Sequence, residues 1–137
     1  MVIPYVGIPF HSHSYSREAL HCYGLVVIVY EDVLGIKLPT HYDAAHDDYP
    51  DIERAYLQER DTERWVEVPA PQEFDIIMLR IYGAVSHCGI IVAPGKMLHV
   101  APKREACIES YRSGAWAKRI AGYYRHAERV KNGTHRA

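Results

Sequence analysis

Cys22 stands just ahead of a long apolar run in "ALHCYGLVVIVYEDVLGI", residues 19–36. A cysteine in that place is either a small buried hydrophobe or a nucleophile aimed by the segment behind it. A thiol hydrolase also needs a base to take the thiol proton and a third group to hold that base. The chain offers both later and in order, His87 in "VSHCGIIV" and His99 in "MLHVAP". Neighbouring antiparallel strands would set the two imidazoles side by side, His87 toward Cys22 and His99 behind it. Singly, each histidine has a plain reading as a core residue; the three in this order form a candidate catalytic set. Cys88, beside His87, is expected to point to the opposite strand face as packing. Cys107 is expected in the core.

The elements that must position these groups follow from the apolar pattern. Leu25, Val26, Val29, Tyr30 and Val33 recur at helical spacing and Gly35 suits the position after a helix end, which predicts a buried helix over 22–34. With Cys22 at its start, free backbone N–H groups and the positive end of the helix dipole favour thiolate. Gly24 leaves room for a substrate backbone. Residues 41–65 are highly charged, with a helix start at Pro50 and Asp51 and with Ile52, Ala55, Tyr56 and Trp65 along one side. That stretch reads as a helical insertion with a solvated face. After "PAPQ", the runs "FDIIMLRIYG", "HCGIIVAPG", "KMLHVAP", "EACIESYRSG" and "KRIAGYYR" are short, apolar and bounded by Gly and Pro, so antiparallel strands are predicted. Helices first and a strand meander second is an α+β arrangement. Residues 1–125 are expected as a single domain and 126–137 as a polar tail.

Composition narrows the partners. The 137 residues are 48% hydrophobic, enough for one domain with a real core. Sixteen Lys and Arg against 17 Asp and Glu leave a net charge of -1, with no basic footprint for nucleic acid. No apolar stretch is long enough to span a bilayer, so membrane insertion is not expected. Three cysteines without a CxxC pair argue for reduced thiols rather than a disulfide framework. "MVIPYVGIPF" lacks the marks of a secretion signal, and the expectation is synthesis in the cytoplasm.

The stretches "YVGIPF", "HCYGLVVIVYEDVLGIKLP", "EFDIIMLR", "SHCGIIV", "MLHVAP" and "RIAGYYR" together resemble the NlpC-type papain-like cell-wall cysteine peptidases. The version they resemble most is that carried at the tail tip of long-tailed bacteriophages. The resemblance runs from Tyr5 to Arg125. It implies a papain-like α+β fold, with N-terminal helices packed on an antiparallel sheet. It further implies Cys22 as nucleophile, His87 as general base and His99 as the orienting residue, with the Cys22 backbone N–H as an oxyanion donor. Asp75 falls on another recurrent position of the family's motifs. Gly24 and Ser86 fall on recurrent positions near substrate. His21 stands where the family commonly has Asp, Phe10 where a tyrosine often lies, and Tyr5 or Tyr15 is a nearby source of a hydroxyl. Such enzymes cut the amide between D-glutamate and a diamino acid in peptidoglycan stem peptides, with no cofactor and no metal. The implied setting is a virion tail tip, built in the host cytoplasm, with other tail-tip or hub proteins as partners.

Two alternatives stay open at this point. One is a structural hub of the tail tip whose activity is weak or lost. The other is a metal site drawn from His11, His13, His21 and Cys22, joined by His87, Cys88 and His99. Against it stands the absence of any paired CxxC or HExxH spacing.

Overall fold

The structure, a computed structural model, describes residues 3–10, 15–16, 19–40 and 49–131. Two short strands, β1 (Tyr15–Ser16) and β2 (Ala19–Leu20), pair just before helix α1 (Cys22–Val29). Gly24, Leu25, Val26, Val27 and Val29 of α1 are all buried, so this helix is enclosed by core rather than amphipathic. His21 caps its start, the ring Nδ1 accepting the Gly24 N–H at 2.8 Å. A wide turn over Tyr30–Leu34 carries the helix on, and Gly35 ends it at φ 68°, the left-handed cap the sequence pattern predicted.

Helix α2 (Tyr49–Arg60) and strand β3 (Trp65–Val68) occupy the charged insertion. The solvated face expected along 41–65 is there in Arg54, Gln58, Asp61 and Glu63, which are exposed, but the opposite side is internal. Glu53 accepts the Val85 N–H at 2.8 Å, and Tyr56 and Leu57 pack toward Met78, Val85 and Tyr124. Glu59 is buried and takes both Arg64 guanidinium nitrogens at 2.8 Å, together with the Trp65 indole N–H at 2.8 Å. Glu53 and Glu59 are spent on internal partners while the Arg54–Asp51 and Arg60–Asp61 pairs stay exposed, and Trp65 belongs to a strand rather than to the helix. Tyr49 precedes Pro50 as the first helical residue. Residues 41–48 lie outside the described residues.

Six strands form one antiparallel sheet in the order β3–β8–β4–β5–β6–β7. The remaining strands are β4 (Ile76–Ile81), β5 (Ala84–Ala93), β6 (Lys96–His99), β7 (Cys107–Ser110) and β8 (Ile120–His126). The strands predicted from the apolar runs are present; β3 in this sheet, like the short β1 and β2 outside it, was not given by the pattern. On one face α1 packs against Ile76, Cys88, Ile90, Leu98 and Val100. On the other, Ile77, Leu79, Ile91 and Met97 meet Tyr111 and Trp116. Burial on both faces is why β4 and β5 lack a polar–apolar alternation. Asp75, fully buried, binds Arg125 through two hydrogen bonds of 2.9 and 2.8 Å and takes the Gln72 N–H at 2.7 Å, tying the entry of β4 to β8. The stretch read as a polar tail begins inside β8 at His126, which is buried, and continues as α3 (Ala127–Lys131). Its Arg129 lies over the Phe74 ring. No described helix is long and apolar enough to cross a membrane.

Candidate active site

Cys22 is the first residue of α1, where unpaired backbone N–H groups and the helix dipole favour negative charge on sulfur. Beneath it, the β4–β5 ladder slips. Leu79 faces His87 while Arg80 faces Val85, which leaves Ser86 as the extra residue of a bulge. Bulges bend and twist a strand and re-aim its side chains. Here the ring of His87 and the thiol of Cys88, consecutive residues, both act on the Cys22 sulfur and lower its pKa. Cys88 is buried in the α1-facing core while the His87 ring stacks on Trp116 of the other cluster, so the two consecutive side chains take opposite faces as expected; the Cys88 thiol nevertheless acts on the Cys22 sulfur.

Behind His87, its Nε2 lies 2.8 Å from Nδ1 of His99, with the two rings edge to face. Gly89 makes that approach possible, because a Cβ there would stand 3.3 Å from the His99 Cβ and 3.2 Å from the Leu98 carbonyl oxygen. Trp116 stacks on His87 at 5.1 Å and meets His99 edge-on. Both imidazoles are sealed, with His87 1% and His99 0% exposed, whereas Cys22 is only partly covered.

The electrostatics follow from these contacts. The Cys22 thiol is held well below its ordinary value, first by the hydrogen bond from Cys88 and then by His87 and His21, against the cost of burial. Cys88 moves the other way, because its proton is engaged by the Cys22 sulfur and it is buried. Burial and the neighbouring His87 push His99 down to about 4, with Glu109 opposing. His99 is therefore neutral at pH 7.

Two groups that the sequence reading did not select also meet here. The Tyr56 hydroxyl from α2 lies 2.6 Å from the Cys22 sulfur and 3.5 Å from that of Cys88. Burial and the two sulfurs raise Tyr56 well above its ordinary value, so it keeps its proton and donates it toward Cys22. Glu109 of β7 sits 2.7 Å from Nε2 of His99. The β6–β7 register gave a signal for it. His99 faces Cys107 and Met97 faces Glu109, so Glu109 is the diagonal neighbour of His99 on the same face.

The proposed substrate-side residues are placed less uniformly. Gly24 is buried with its N–H spent on the His21 cap, and that cap is what the His21 Nδ1 does here. The Ser86 hydroxyl donates to the Ala84 carbonyl at 3.2 Å within the bulge. Phe10 packs partly buried against the α1 core, its N–H donating to the Arg104 carbonyl at 3.0 Å. Tyr15 lies in β1, and its side chain is outside the described residues, as are His11 and His13.

Among the described residues, one trio of metal-ligand types converges, His99, Cys107 and Glu109, with atoms within 4.8 Å of one another. It is not the set the metal reading named. The Arg104 guanidinium already lies 3.7 Å from Glu109 and 3.6 Å from the Cys107 sulfur, supplying positive charge from the protein itself. Cys107 is half-buried beside these groups rather than in the core.

The sequence matches the model of the NlpC/P60 family over residues 7–125. The chain belongs to the NlpC/P60 family. Its members are typically cysteine peptidases that hydrolyse peptidoglycan. The fold agrees with solved NlpC/P60 structures. A family protein from Bacillus cereus is 21% identical, with a TM-score of 0.63 over 89% of this chain and 36% of its own. A lipoprotein-like NLP/P60 family protein from Staphylococcus aureus is 22% identical, with a TM-score of 0.63 over 90% of this chain and 38% of its own. This chain thus spans little more than a third of either protein. The NlpC/p60 domain of the peptidoglycan hydrolase SagA is 17% identical, with a TM-score of 0.57 over 88% of this chain and 89% of that domain. Among curated proteins, none matches the chain.

Proposed function

We propose that this NlpC/P60 domain is a cysteine endopeptidase acting on peptidoglycan stem peptides, at the amide between D-glutamate and a diamino acid. The observation that carries this reading is the alignment of groups at one point. A thiol at a helix N-terminus is held acidic in part by the His87 ring, and His87 is backed at 2.8 Å by His99. In the first step the Cys22 thiolate attacks the carbonyl carbon, and the developing oxyanion meets the Cys22 backbone N–H. His87 carries the thiol proton to the leaving amine. Water then attacks the thioester, giving one proton to His87 and releasing the acid and the free thiol.

A setting at a phage tail tip, beside other hub proteins, belongs to the same proposal and is supported by the motif resemblance alone. Detection of this chain in purified virions tests that part.

Digestion of purified peptidoglycan, with fragments identified by mass spectrometry, tests the chemistry. Wild type is expected to release stem fragments with a new amino terminus on the diamino acid, and Cys22→Ala none. Absence of wild-type cleavage, or equal cleavage by Cys22→Ala, would overturn it.

A further inference from the structure

We propose that Glu109 is a positioning residue of this site, a fourth member that fixes which nitrogen of each histidine carries its proton. It deepens the peptidase reading and rests on Cys22 being the nucleophile. Three contacts lie in series behind a His87 ring that lowers the pKa of the Cys22 thiol: His87 Nε2 to His99 Nδ1 at 2.8 Å, His99 Nε2 to Glu109 Oε1 at 2.7 Å, and the Trp116 indole N–H to the same Oε1 at 3.2 Å.

The proton order follows from the far end. Trp116 can only donate, so Glu109 Oε1 must accept. Arg104, 3.7 Å away from the loop before β7, favours the ionised carboxylate. An ionised carboxylate has nothing to donate, so His99 must hold its proton on Nε2. A neutral His99 then presents a bare Nδ1 to its neighbour. The His87–His99 contact needs one hydrogen, and only His87 Nε2 can supply it. His87 therefore turns a lone pair on Nδ1 toward Cys22, the form that can receive the thiol proton. If Glu109 were absent, His99 could reverse, and His87 would present an N–H to the neutral thiol instead. The charged and titratable groups around this chain are Arg104 and Cys107 beside Glu109, His87 and Glu109 around His99, and Cys22 with Tyr56, Cys88 and His21 at the other end.

The same geometry says what a conservative variant does. In Glu109→Gln the amide carbonyl must face the two donors, because an NH2 there would oppose the Trp116 N–H. The proton order survives and only the charge is lost. Glu109→Ala loses both.

The test is the pH dependence of Cys22 alkylation by iodoacetamide, read at that residue by mass spectrometry. It is paired with 15N NMR assignment of the His87 and His99 tautomers in wild-type protein. Glu109→Ala is expected to move the alkylation profile upward by about one pH unit, roughly tenfold slower below it, whereas Glu109→Gln stays within about threefold of wild type. His99 is expected as the Nε2–H tautomer at pH 7. A wild-type alkylation profile in Glu109→Ala, or a His99 proton on Nδ1 in wild type, would overturn the proposal. If Glu109→Ala does not fold, the wild-type tautomer and Glu109→Gln decide it alone. Peptidoglycan digestion run in parallel separates the two readings. No digestion with a shifted profile sinks the peptidase and leaves the relay. Digestion with an unshifted profile does the reverse.

Discussion

Acidification from pH 7 to 5 should destabilise the fold through His99, and by an amount the structure sets. The ring is fully buried between His87 and Glu109, and its value falls from the ordinary 6.5 to about 4. Burial is the main cause, with the neighbouring His87 adding to it and the Glu109 carboxylate opposing. The unfolded chain takes up a proton at this residue below pH 6.5, whereas the folded protein resists until about pH 4. Stability is therefore lost as the pH falls through that window and levels off below it. The full difference corresponds to about 3 kcal/mol, of which about 2 kcal/mol is spent by pH 5. Against a typical domain stability of roughly 5–15 kcal/mol, that is a large share.

Urea unfolding followed by the fluorescence of Trp65 and Trp116, at steps between pH 7 and 5, measures it in wild type and in His99→Gln. Stopping at pH 5 keeps ordinary carboxylates ionised in both proteins. His126, which burial also pushes down, is common to both and cancels in the difference. Wild type is expected to lose about 2 kcal/mol more than the variant over this range. Equal losses would refute the reasoning, because they would mean that the buried ring titrates as it does in the unfolded chain.

Two further outcomes follow from single contacts. Tyr56→Phe removes an O–H donor 2.6 Å from the Cys22 sulfur, and the alkylation profile of Cys22 is expected to move upward by about one pH unit. An unchanged profile would place the shared proton on sulfur instead. Asp75→Ala leaves Arg125 buried without its carboxylate and the Gln72 N–H without its acceptor, and is expected to cost about 3–5 kcal/mol in urea unfolding. A cost under about 1 kcal/mol would show that water or a neighbour replaces the carboxylate.

What the sequence made legible was local. Helix α1 shows in its apolar spacing, its end shows in Gly35, and the five apolar runs between Gly and Pro are strands because each signal lies within a few residues of what it specifies. The juxtaposition of His87 and His99 was legible for a similar reason, since a short hairpin separates them. Edge strand β3 was missed because "WVEV" is half exposed and shows little apolar pattern.

The residues that complete the site came from contacts of longer range. Tyr56 reaches Cys22 across 34 positions, and only the packing of α2 on β5 brings it there. Composition recorded the charges of α2 but not their partners, so a helix held by Glu53 and Glu59 looked like a solvated one. Cys88 shows a different limit. Alternation along β5 puts Cys88 in the α1-facing core and His87 against Trp116, as a strand should, but it does not say that the Cys88 thiol acts on the Cys22 sulfur. Glu109 lies between these cases. Once β6 and β7 are paired it is a diagonal neighbour of His99, so an acidic residue two positions after the partner of an orienting histidine is a legible sign, provided the register is known first. The site was thus readable wherever its parts share a hairpin, and hidden wherever the packing of a helix had to bring them together.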